Sequence, residues 1–94
     1  MTGMFAISKA GHDRGKLYII INEEEEYVYL SDGRLKPIDA PKKKKKKHIQ
    51  IVKKTDEQIR LAIEKNNQIR NEEIKRAIKE YGAQAESGGK NVKS

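Results

Sequence analysis

The sequence predicts a mainly β fold with a C-terminal α part: a small, strongly curved barrel of about five strands, followed by two short helices. Three observations lead there. Short apolar stretches recur through the first half, separated by glycine, proline or charged residues. The hydrophobic period then changes from two to about 3.6 near Thr55. Charged residues make up 37% of the chain against 35% apolar, so any core in a 94-residue chain is thin. Strands that short cannot build two packed layers. A sheet curled on itself removes most exposed edges and is the economical solution.

Each element has its own local signal. Met4-Phe5-Ala6-Ile7 is a short apolar stretch, and Leu17-Tyr18-Ile19-Ile20-Ile21 is β-branched and aromatic, as a buried strand should be. Tyr27-Val28-Tyr29-Leu30 alternates rings with aliphatics. Asp32-Gly33 then signals a hairpin of type I′, with Leu35-Lys36 as a short return strand before Pro37. His48-Ile49-Gln50-Ile51-Val52 alternates again as the fifth strand. Phe5 and Tyr18 read as core. Tyr27 and Tyr29, which could stack on bases, read rather as core or helix packing.

Thr55 with Gln58 forms a capping box, with Asp56 and Glu57 in the first turn of a helix carrying Ile59, Ala62 and Ile63 on one face. Asn66-Asn67 interrupts the helical pattern. Asn71 caps a second helix whose stripe is Ile74, Ala77, Ile78 and Tyr81, and Gly82 ends it. The stripe is expected to pack on the barrel. The organisation is thus a barrel over 1–54 with a lysine-rich loop, a helical extension over 55–82, and a disordered tail over 83–94 around Ser87-Gly88-Gly89.

Charge is distributed unevenly. The net charge is +7, and residues 1–54 hold 13 basic against 7 acidic side chains, so +6 of it lies in the barrel half. Its densest part is Lys42, Lys43, Lys44, Lys45, Lys46 and Lys47. Six ammonium groups in sequence read as a solvated or phosphate-binding tract. Glu23 to Glu26 read as a solvated turn that keeps phosphates off its own edge. Such a balance points to a polyanion, most often nucleic acid. The chain has no cysteine, which excludes disulfides and thiolate chemistry. No stretch has the apolar length of a membrane span or a secretory h-region, so a cytoplasmic protein without membrane partners is expected. Two histidines, His12 and His48, without cysteine make a poor metal site. No nucleophile–base set, phosphate loop or dinucleotide fingerprint is visible, so neither an enzyme, a cofactor nor a small-molecule substrate is expected.

The segment Ala10-Gly11-His12-Asp13-Arg14-Gly15 lies between two apolar strands. Gly11 suits a positive φ, and Lys9, Arg14 and Lys16 surround the turn with cations that could meet phosphate or ribose. The run from Gly3 to Lys16 resembles the KOW motif of ribosomal proteins and transcription factors: a hydrophobic strand, Ala-Gly-x-Asp-(Lys/Arg)-Gly, and a second hydrophobic strand. Together with Leu30-Ser31-Asp32-Gly33-Arg34-Leu35, Pro41 and the lysines, the chain is similar to short bacterial KOW-domain RNA-binding proteins related to a large-subunit ribosomal protein. The resemblance implies an SH3-like barrel that binds structured RNA, usually ribosomal RNA, through the loop Lys9 to Lys16. On this reading the RNA contacts are Lys9, Gly11, His12, Arg14, Lys16, Arg34 and Lys42 to Lys47, with ribosomal or translation proteins as further partners. The alternative is a protein-interaction adaptor of a transcription or translation factor that uses the barrel and helices.

Overall fold

The computed structural model describes residues 2–65 and 69–93, of which 83–93 are described by their backbone only. Five antiparallel strands, β1 (Met4–Ser8), β2 (Leu17–Glu23), β3 (Tyr27–Ser31), β4 (Lys42–Lys45) and β5 (Ile49–Thr55), are followed by α1 (Glu57–Glu64) and α2 (Asn71–Lys93). The sheet order is β4-β3-β2-β1-β5. A single 3-10 turn, Lys46–His48, carries the chain from one end of that order to the other. Four Cα steps reach at most about 14 Å, whereas the outer strands of a flat five-stranded sheet would stand about 19 Å apart. The sheet therefore has to curl. Register shifts between Met4 and Phe5 and between Ile20 and Asn22 bend β1 and β2 to allow it. This is the small barrel followed by helices that the sequence predicts.

The two faces of the sheet bury two separate cores. Ala6, Tyr18, Ile20, Val28, Leu30 and Ile49 fill the barrel interior. Phe5 and Ile19 face the other way and pack with Ile59 of α1 and Ile74 and Ala77 of α2, joined by Leu17, Ile21, Val52, Ile63, Ile78 and Tyr81. β2 sends alternate residues into both, which is why Leu17 to Ile21 is an uninterrupted apolar run. The helical stripe thus lies on the barrel, and the Phe5 and Tyr81 rings stack at 4.7 Å.

Several local expectations are corrected. The lysine run is not a loop: Lys42 to Lys45 form β4, paired residue by residue with Leu30 to Tyr27. Leu35-Lys36 is not a strand. Asp32 Oδ1 accepts from the backbone N–H groups of both Arg34 and Lys36, so its side chain wraps the turn that a hairpin would have extended. The fifth strand begins at Ile49, because His48 closes the 3-10 turn. Tyr27 and Tyr29 belong to neither core. They stand on the outer side of β3, where Lys43 Nζ lies 4.4 Å from the Tyr27 centroid and 5.9 Å from that of Tyr29.

The cap of α1 is Asp56, not Thr55: its carboxylate accepts from Ile59 N at 3.1 Å while Thr55 still belongs to β5. At α2, Glu73 accepts from Arg70 N at 3.1 Å and the Arg70 carbonyl receives Ile74 N. The Asn71 amide oxygen instead accepts from Ile38 N, tying the 32–41 segment to the helix. The second helix is not short. Its backbone passes Gly82 and stays helical to Lys93, since a helix-interior glycine costs only about 1 kcal/mol. The expected break at Asn66-Asn67 falls on 66–68, outside the described residues, and the expected disorder of 83–94 falls where side chains are not described.

Gly33 has φ +74°, and a Cβ there would stand 2.5 Å from the Asn71 carbonyl oxygen. Gly15 has φ +88° and open space around it. Gly15→Ala should therefore cost about 1–2 kcal/mol through backbone strain alone, and Gly33→Ala distinctly more. Urea unfolding of the two variants checks this order.

Candidate nucleic-acid interface

The loop between β1 and β2 is set by one carboxylate. Asp13 Oδ1 accepts from Ser8 Oγ at 2.9 Å and from Lys44 Nζ at 2.8 Å. Its Oδ2 accepts from the Tyr18 hydroxyl at 2.8 Å and pairs with Lys42 Nζ at 3.2 Å. The Lys44 ammonium is only 9% exposed and places its three protons on Asp13, on Ser8 Oγ at 2.7 Å and on the Ala10 carbonyl at 2.7 Å. Backbone bonds complete the frame: Gly15 N to Ser8 O, Ser8 N to Lys16 O, Arg14 N to Gly11 O and Lys16 N to Asp13 O. Gly11 closes the turn at φ +85° directly above the cluster, where a Cβ would lie 3.6 Å from Asp13 Oδ1.

Protonation follows from these contacts. Burial alone would raise the Asp13 carboxyl. The hydrogen bonds from Lys44, Tyr18, Ser8 and Lys42 outweigh it and hold the group well below the usual carboxylate range. Burial, the bond to Asp13 and the nearby charges of Asp13 and Asp32 push the Tyr18 hydroxyl above its ordinary value. Asp32 repeats the pattern on a smaller scale. It is buried, pairs with Lys16 Nζ at 2.6 Å, and is lowered by Lys16 and the Arg34 and Lys36 amides against the opposing effect of burial.

This geometry sorts the expected contact residues. Lys44 is inside the domain and Lys42 turns toward the same carboxylate. Lys16 is held by Asp32. Lys46 pairs with Glu23 at 2.8 Å, and Lys43 lies 3.9 Å from Glu24. The acidic run is thus not set apart from the lysines: the Lys46 amide donates to the Glu26 carbonyl, and the two runs lie side by side. Lys45 and Lys47 have no carboxylate partner among the described residues, though Glu25 and Glu26 line a shallow 250 Å³ cavity with them. Lys9, His12 and Arg14 are exposed on the loop and have no ion-pair partner among the described residues. The Lys9 amide donates to the His48 carbonyl, which brings the loop beside Lys47 and His48. Arg34 lines a different feature, a groove against α2.

Among the described residues, the open, unpaired cations on and beside the loop are therefore Lys9, Arg14 and Lys47, with His12 exposed among them. Sequence reasoning missed the roles of Ser8, Asp13 and Tyr18. The available signal was Asp13 itself, the one acid in a basic loop, with a hydroxyl residue five positions away on either side. No protein-family model matches the chain, and no curated protein matches it.

Both carboxylates bind protons less readily folded than unfolded, so stability should fall as pH drops below about 4. Tyr18 acts oppositely, and stability should fall as pH rises above about 10. Asp13→Asn should flatten the acid limb of a pH series of urea midpoints. At neutral pH, Asp13→Ala should cost about 3–5 kcal/mol because it strands the Lys44 charge. The double variant Asp13→Asn/Lys44→Met should lose less than the sum of the single changes.

Proposed function

We propose that this chain is a non-catalytic RNA-binding module of the KOW type, which docks on folded RNA of the ribosome or translation machinery in the cytoplasm. The observation that carries the proposal is the loop Lys9 to Lys16. Asp13 holds its backbone in one shape, and Lys9, His12 and Arg14 are left exposed beside Lys47. A pre-shaped cationic loop suits folded RNA, where phosphate positions rather than base edges are accessible. The resemblance of Gly3 to Lys16 to the KOW motif and the +6 of the first 54 residues point the same way.

On this reading the lysine run serves two purposes. Lys42 and Lys44 hold the loop, and Lys47 contributes to the phosphate-facing surface. Removing the first pair weakens RNA binding by loosening the loop, and removing Lys47 weakens it by losing a charge.

Binding of a ribosomal RNA fragment, followed by anisotropy across a salt series, separates the two effects. Lys47→Gln and Arg14→Ala should each reduce the log–log salt slope by roughly 0.7–0.9. Arg60→Ala on α1, whose guanidinium is paired with Glu57 and Glu64, should leave the slope unchanged. Equal slopes for wild type, Lys47→Gln and Arg14→Ala would overturn the assignment.

A further inference from the structure

Between the barrel and α2 runs an open groove of about 840 Å³. Leu17 and Ile78 form apolar walls, and Leu35 stands over it from the 32–41 segment with 80% of its surface exposed. Arg34, Lys75 and Lys79 ring it, and none has a carboxylate partner among the described residues. Among the described residues the only acid in the lining is Asp32, already neutralised by Lys16. The segment that carries Leu35 is pinned rather than loose. Gly33 packs against the Asn71 carbonyl, Ile38 N donates to the Asn71 amide, and Asp32 clamps the Arg34 and Lys36 amides. A large leucine held in water by a pinned turn has no role in either core.

We infer that this groove docks an acidic peptide segment of a partner protein, with one apolar side chain seated between Leu17, Leu35 and Ile78 and carboxylates meeting Arg34, Lys75 and Lys79. Charge complementarity selects the acid: three unpaired cations surround a site whose own carboxylate is already paired. The apolar walls select a peptide over RNA. Among the described residues the lining holds no aromatic ring on which a base could stack, and phosphates would leave the three aliphatics uncovered. The chain's own residues 83–94 do not fit, because they carry two lysines and one glutamate. Of the expected RNA contacts only Lys16, held by Asp32, and Arg34 line the groove, and none of its unpaired cations belongs to the Lys9–Lys16 loop that carries the RNA reading.

The test uses the full chain and a short fluorescent peptide of glutamate and leucine. Controls are the same peptide with serine for leucine, and a short poly-uridylate. The glutamate–leucine peptide should bind about tenfold more tightly than its serine counterpart. Leu35→Ser and Lys79→Gln should each weaken it several-fold, with the amide resonances of Leu35, Lys75, Ile78 and Lys79 shifting in the wild-type complex. Leu35 is exposed, so its replacement leaves the fold intact, and unchanged thermal unfolding verifies that. Equal affinity for the two peptides, or indifference to Leu35→Ser, would overturn the proposal. So would displacement by poly-uridylate that depends on Leu35, which would mark the groove as an RNA site. Arg14→Ala should leave peptide affinity untouched, so failure of the RNA reading and failure of this one are separable.

Discussion

An ammonium group inside a barrel this small is tolerable only when every one of its protons has an acceptor, and Lys44 meets that condition with Asp13, Ser8 and the Ala10 carbonyl. Much of the domain is arranged by that requirement. It brings β4 to the β1–β2 loop, across more than thirty residues of sequence. It fixes the loop from inside, so that the outward side chains of that loop are presented in one arrangement. It also draws the Tyr18 hydroxyl from the barrel core to the same carboxylate.

β4 raises a problem of register. Strands usually find their alignment through the contrast between apolar and polar faces, and a one-residue slip is costly because it turns the wrong residues inward. A run of identical lysines offers no such contrast: a slip would present Asp13 with another lysine. Alignment must come from the flanks. At the C-terminal end, the Lys46 amide is bonded to the Glu26 carbonyl and its ammonium to Glu23. Glu23 at the end of β2 and the glutamates of the turn to β3 therefore act as the counterpart of the lysine run within the fold and help set which lysines face inward.

This explains which parts were legible. β2 is uninterrupted and apolar because both its faces are covered, and the stripes of α1 and α2 keep helical spacing because one face of each rests on the sheet. Those signals are local. β4 has no local signal: its inward positions are defined by an aspartate far away in sequence, not by hydrophobicity. Leu35-Lys36 erred in the opposite direction, with a plausible local pattern overridden when Asp32 bonded to two following amides. In the candidate interface, composition located the excess charge in the first 54 residues but could not distinguish charges facing water from those held by carboxylates. Lys9, Arg14 and Lys47 are of the first kind, and Lys16, Lys42, Lys44 and Lys46 of the second.

Besides holding the loop, the lysine strand has a consequence for the protein at high concentration. β4 ends the sheet order with β3 as its only strand neighbour, and a strand in that place offers unpaired backbone groups to any other chain that approaches. Here the approaching strand would meet the outward ammonium groups of Lys43 and Lys45, which it would have to strip of water and crowd against its own charges. Valines at the outward positions of Lys43 and Lys45 would leave this edge self-adhesive. The lysines make this edge of the sheet self-repelling, which disfavours edge-to-edge pairing between copies.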